Sequence, residues 1–236
     1  MIDPSARVHP TAILDGEITI GAETEIGPFC YIEGRVVIGA RNRIFPHVVI
    51  GTDPQHRTAE PTGPVLIGDD NVLRERVTVQ RGTGDRSTEI RNGCYLMEGV
   101  HVSHDILIDD GVTIAASVTL AGHTVLLEGA NLGMGAITHQ FTTVGAYSMV
   151  GMGAIVTKDV PPLAVVAGNP AKLLRINGHV FEALGIEDGA VELTRGSDGV
   201  PRAITYRHGR LQPLLARFRE STRRKTVVVL AGADGA

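Results

Sequence analysis

A step of six residues organises most of this chain. Ile2, Val8, Leu14, Ile20, Ile26, Ile32, Ile38, Ile44 and Ile50 are aliphatic without a break. The beat resumes at Ile67, Leu73 and Val79. It runs again from Ile90 through Leu96, Val102, Ile108, Ile114, Leu120, Leu126, Leu132, Thr138, Val144 and Val150 to Val156, with only Thr138 out of class. A helix repeats its apolar face every 3.6 residues and a half-buried strand every two, so neither gives six. A short strand with one inward side chain, followed by a turn, does. Glycine directly after the aliphatic residue, as at Gly21, Gly39 and Gly133, suits the bend. Three such units make a triangular coil of about 18 residues, and coils stacked ~4.8 Å apart bury a continuous aliphatic column. The spacing predicts a parallel β-helix.

Composition agrees with such a column. Of 236 residues 43% are hydrophobic, yet there are only five Phe, four Tyr and no Trp beside 29 glycines, so small and aliphatic side chains must fill the core. Twenty-two Lys plus Arg against 26 Asp plus Glu leave a net charge of −4, which argues against a nucleic-acid binder. Cys30 and Cys94 are too few for a disulfide framework and suit a reducing compartment. No apolar run approaches the ~18 residues a membrane span requires, and MIDPSARVHPTAI carries acid and proline where a signal peptide is basic and then apolar. The expectation is a soluble cytoplasmic protein.

The repeat breaks in two places. Residues 51–65, GTDPQHRTAEPTGPV, carry three prolines and no periodicity, and read as a loop ejected from the coil; residues 81–89, RGTGDRSTE, form a smaller one. Loops on a rigid scaffold tend to carry function. After DVPPLAVVAGNPAKLLRI the repeat ends, so residues 1–176 are expected to form the β-helix domain and 177–236 a small α/β or helical unit. In that unit helices are predicted over 178–186 and 211–225, and strands near 190–194, 202–207 and 226–231.

The hexapeptide pattern resembles that of the bacterial hexapeptide transferases, and MIDPSARVHPTAI, IGPFCYI, HVSHD, TLAGH and THQF, in that order, resemble the acyl-carrier-protein:UDP-N-acetylglucosamine O-acyltransferases of lipid A synthesis. The likeness covers roughly residues 1–177. It implies an all-β, left-handed parallel β-helix, a hand that is an exception to the usual crossover rule. It also implies transfer of a 3-hydroxyacyl group from an acyl-carrier-protein thioester to a hydroxyl of a UDP-amino sugar, with no cofactor, in a homotrimer.

An 18-residue coil turns sequence spacing into geometry. His104, Gly122 and Gln140 should form one column, with Asp105 and His123 in the next. A carboxylate beside one imidazole and beneath another, with a glycine amide one coil above, suits acyl transfer: base, orienting acid and oxyanion donor. The resemblance assigns these roles to His104, Asp105 and Gly122 respectively. By the same matching His101, His123, His139 and Gln140, with Gln55 and His56 of the first loop, would contact substrate, and Asn177 would lie near the donor's pantetheine arm. Three histidines can bind a metal in related hexapeptide proteins. Here Asp105 and Gln140 share the lattice with His101, His104 and His123, and HxxH on a strand does not place both rings on one face, so no metal is expected.

The likeness also has departures. His56 stands where the family has an acid that contacts the sugar, the first-loop region is about one coil shorter than the family norm, and Ala183 and Leu184 replace arginines that help hold the donor. AGNPAK, residues 167–172, resembles a signature of coenzyme A-dependent acetyltransferases, so an acetyl-CoA-dependent sugar acetyltransferase is the alternative activity, and a non-catalytic scaffold a third reading. Alignment through HQF and DVPP places Met152, with Met134 one coil below, where the family limits acyl-chain length. Gap-filling in the core is the competing explanation for both methionines.

Overall fold

The computed structural model describes residues 1–58, 60–222 and 225–231. Residue 59 of the first loop, residues 223 and 224 of the second predicted helix, and residues 232–236 of the C-terminal unit lie outside the described residues.

The chain winds into the expected parallel β-helix. Strands of mostly two residues pair with the next coil 18 positions on, as Tyr95 with Thr113 and Thr113 with Asn131 on the first face, or His101 with Thr119 and Thr119 with Ile137 on the second. The second residue of each such strand turns inward. Ile26, Ile44, Leu73, Leu96, Ile114, Leu132 and Val150 line the first face of the core, Ile32, Ile50, Val79, Val102, Leu120 and Val156 the second, and Ile38, Ile67, Ile90, Ile108, Leu126 and Val144 the third. Each buries roughly 1.5–3 kcal/mol worth of apolar surface. Thr138 occupies the same column, fully buried, its hydroxyl 2.9 Å from that of Thr124. Hydrogen bonding satisfies the one polar member of the repeat.

The corners explain how non-glycine residues make the bends. Asp105, His123 and Phe141 stand at φ of 58°, 61° and 61° on successive coils. The left-handed conformation costs roughly 1–2 kcal/mol per residue, and here each such residue's amide gains a bond to the coil below, to the Thr88 hydroxyl for Asp105 and to a carbonyl for His123 and Phe141. His123 N–H donates to the His104 carbonyl and Phe141 N–H to that of Gly122, both at 3.1 Å.

Both ejected loops leave from this same corner, between the second and third faces. The first separates strands Val49–Thr52 and Val65–Ile67, and the second separates Thr78–Gln80 and Thr88–Ile90. Coil spacing accordingly rises to 29 residues, Arg43 pairing with Val72, and then to 23, Val72 pairing with Tyr95, before settling at 18.

The coil closes with Ala164–Ala167 and an antiparallel partner, Lys172–Ile176. Beyond it, strands Val191–Arg195, Pro201–Tyr206 and Val229–Ala231 form a small mixed sheet beside the helix Gln212–Ser221. The helix predicted over 178–186 is reduced to a 3-10 turn and one α-turn, Phe181–Leu184, stopped by Gly185 in the left-handed conformation. This unit folds back on the third face. Arg217 pairs with buried Asp109 at 2.7 Å, Phe218 packs on Leu127 and Ala146, and the Tyr206 hydroxyl donates to the Pro162 carbonyl. The three fully or nearly fully buried aromatic side chains, Phe181, Tyr206 and Phe218, all belong to it. Among the described residues no helix is long and apolar enough to cross a membrane.

Candidate active site

The corner that carries the loops also carries the histidines. His104 and Asp105 turn the chain from His101–Val102 to Leu107–Ile108, Gly122 and His123 do so one coil later, and Gln140 and Phe141 one coil after that. His104 Nδ1 lies 2.8 Å from Asp105 Oδ2, and His123 Nε2 lies 3.5 Å from the same oxygen. The rings form a series: His56 edge-on to His104 at 5.8 Å, His104 edge-on to His123 at 5.2 Å, and His123 stacked on Phe141 at 4.2 Å.

Asp105 is the most deeply held member, its side chain 1% exposed. Thr83 N–H donates to Oδ1 and the Thr83 hydroxyl to Oδ2, both at 2.7 Å, while Asp105 N–H donates to the Thr88 hydroxyl at 2.9 Å. Burial alone pushes this carboxyl upward. The Thr83 amide, the His104 ring, the Thr83 hydroxyl and the nearby His123 outweigh it, and the group is held below the usual carboxylate range. It therefore stays ionised and fixes a proton on His104 Nδ1, which leaves Nε2 as the basic nitrogen.

Gly122 is required by this packing. A Cβ there would lie 2.7 Å from both Cε1 and Nε2 of His104, so only glycine lets the ring lie against the next coil. Its amide donates to no group among the described residues. Beside it, Ala121, Ile137, Thr138, His139, Gln140 and Ile155 line a shallow groove of about 300 Å³.

The remaining candidates are placed less uniformly. His101 is half-buried on the second face, its Nδ1 2.7 Å from the Thr78 hydroxyl, and burial pushes its imidazole below the usual range. His139 and Gln140 are exposed beside the groove. His56 reaches His104 from the first loop, and the Gln55 amide lies 3.4 Å from the Gln80 side-chain oxygen, which accepts from Ser103. Asn177 sits at another corner, its side chain donating to the Tyr147 carbonyl at 2.8 Å. Met134 and Met152 lie one coil apart at the corner between the first and second faces, 56% and 77% exposed, and do not border the groove. Thr83 and Thr88 were not candidates from the sequence. They lie in or beside an insertion where the 18-residue arithmetic is lost, and nothing in RGTGDRST marks them.

Among the described residues one group brings metal-binding side chains together: His104, Asp105 and His123, with ligand atoms within 4.8 Å of one another. The carboxylate also accepts from Thr83 through both oxygens and lies beside His104 Nδ1.

Residues 17–52 match the bacterial transferase hexapeptide (six repeats) family. An acyl-[acyl-carrier-protein]–UDP-N-acetylglucosamine O-acyltransferase of Aliivibrio fischeri is 36% identical over 217 residues, covering 83% of this chain and 82% of the relative. The chain belongs to this O-acyltransferase family. A second member, from Alkalilimnicola ehrlichii, is 41% identical over 192 residues, covering 75% of this chain and 74% of its own. Among solved structures, the UDP-N-acetylglucosamine acyltransferase of Francisella novicida superposes with a TM-score of 0.77 at 26% identity, covering 98% of this chain and 94% of that one. The Moraxella catarrhalis O-acyltransferase gives 0.68 at 27% identity, covering 96% and 97%.

Proposed function

We propose that this chain is an acyltransferase that moves a 3-hydroxyacyl group from an acyl-carrier-protein thioester to a hydroxyl of UDP-N-acetylglucosamine. One observation supports the chemistry most directly. An imidazole with its Nδ1 proton held by a buried carboxylate packs against a glycine whose amide donates to no group among the described residues. Membership of the family selects the carrier-protein donor over the coenzyme A donor that AGNPAK suggested, and an enzyme over a bare scaffold.

His104 Nε2 takes the proton of the acceptor hydroxyl as its oxygen attacks the thioester carbonyl carbon. The developing oxyanion is received by the Gly122 amide, a contribution worth about 2.7–4 kcal/mol in comparable sites. Collapse breaks the C–S bond, and the imidazolium, stabilised by Asp105, returns the proton to the leaving sulfur. An ester and a free thiol result, and the balance requires no redox or metal cofactor.

His101, His123, His139, Gln140, Gln55 and His56 would contact the two substrates around this corner. Asn177, Met134 and Met152 lie at other corners, and in the homotrimer we propose, with sites between protomers, a neighbouring copy would bring them to the donor. We treat 1–176 as the catalytic coil and 177–236 as a separate unit, and place the protein in the cytoplasm, where two buried free cysteines are at home. The test is to offer acyl-carrier-protein thioesters and acetyl-CoA separately against a panel of UDP-sugars. Acylated UDP-N-acetylglucosamine from the carrier-protein donor is expected; transfer from acetyl-CoA alone would overturn the reading.

A further inference from the structure

The five residues that lengthen one coil to 23 bring Thr83 to the Asp105 carboxylate. In a regular coil the residue beneath Asp105 would be Ser87, whose hydroxyl instead engages Glu89. Thr83 supplies two donors, N–H and hydroxyl, one to each oxygen, while Thr88 receives the Asp105 amide. The second loop thus grips Asp105 at both its side chain and its backbone.

The first loop keeps the second in place. Gly63 N–H donates to the Gly82 carbonyl at 3.1 Å, Gly84 N–H to that of Glu60 at 3.0 Å, and the Thr62 hydroxyl to that of Gly84 at 3.0 Å. Arg86 N–H closes a turn on the Thr83 carbonyl at 3.0 Å, and Gly63 lies so near Arg86 that a Cβ would land on its carbonyl oxygen. Arg81 is ion-paired with Asp53 of the first loop, its guanidinium covering Gly34. The two loops are therefore one pad.

We propose that Thr83 is a positioning residue for the acyl transfer, and that the paired loops exist to hold it against Asp105, fixing that carboxylate as the partner of His104. Thr83 reaches no reacting atom itself; it acts through Asp105. This rests on the acyltransferase reading for its kinetic consequence, although not for its structural one. The other groups facing the carboxylate are His104 and His123, with His56 beyond His104.

Thr83→Val removes the hydroxyl, keeps the branched shape and leaves the N–H. A hydrogen bond to a charged group converts to roughly a 10- to 100-fold change, so kcat should fall by about that factor with KM little altered. Thr83→Ser should restore most of it. Carboxyl NMR titration should show Asp105 of Thr83→Val titrating at higher pH than in the wild type, and Thr83→Ser close to the wild type, with melting curves confirming that all three are folded. A folded Thr83→Val enzyme with the wild-type kcat and Asp105 titration would overturn the proposal. So would an activity loss that Thr83→Ser fails to rescue while Asp105 titrates normally. If the wild type acylates no UDP-sugar, the acyltransferase reading falls, and the Asp105 titration still decides this one.

Discussion

The imidazole of His104 lies where a side chain on Gly122 would have to be, 2.7 Å from the position of a Cβ. The two residues are one coil apart, and the coil spacing of ~4.8 Å leaves no room for both. Gly122→Ala should therefore displace His104 from Asp105 with little change to the aliphatic column. The expected result is a folded protein whose kcat falls by about 10²-fold or more, the scale of a lost base or oxyanion donor. Steady-state kinetics beside a melting curve would check it, and unaltered kcat would dissociate Gly122 from the reaction.

Removing the base itself has a sharper signature. His104→Ala should abolish about 10²- to 10⁴-fold of turnover while leaving the fold intact, since the ring is held at a corner and not in the column. Circular dichroism and a thioester-consumption assay suffice; full activity in the folded variant would exclude His104 as base.

His101 should make the fold sensitive to mild acid. Burial holds its imidazole below the ordinary value of 6.5, so the unfolded chain takes up a proton first. The stability at stake is fully present above that value and is lost as pH falls from it through the depressed folded value. Urea midpoints between pH 7.5 and 5 should decline in the wild type and flatten in His101→Asn. Parallel profiles would assign the acid sensitivity elsewhere.

Met152 offers a test of chain length. If its side chain ends the acyl groove, Met152→Gly should shift preference to longer donors. Two further methylenes at ~0.8 kcal/mol each could alter relative rates by about tenfold. A ladder of acyl donors reads this directly, and an unchanged profile removes Met152 from chain selection.

Because Met134, Met152 and Asn177 stand away from the His104 corner, assembly should be a precondition for full activity. Sedimentation at micromolar concentration is expected to return three times the chain mass, and a mass of one chain in the active preparation would contradict it.

The fold was legible from Ile20, Ile38, Ile90 and their kin because a fixed period forces each aliphatic side chain to the same interior line. His104, Asp105, Gly122 and His123 were legible for the same reason, since 18 residues return the chain to one corner. Thr83 was hidden because an insertion has no period, and only three-dimensional contact shows which of its residues turns back. The sequence suggests a helix over 178–186 because HVFEALGI has helical spacing, but Gly185 ends it after one turn.

Both ejected loops leave and re-enter at a single corner, and the strands on either side resume their pairing, with one register shift between Ile50 and Thr52 where the first loop departs. Loop length is thereby uncoupled from the lattice. Residues can be added or removed at that edge without disturbing the aliphatic core, provided that Thr83 is still returned to the Asp105 carboxylate. A loop pair transplanted between relatives as one piece should carry its selectivity with it.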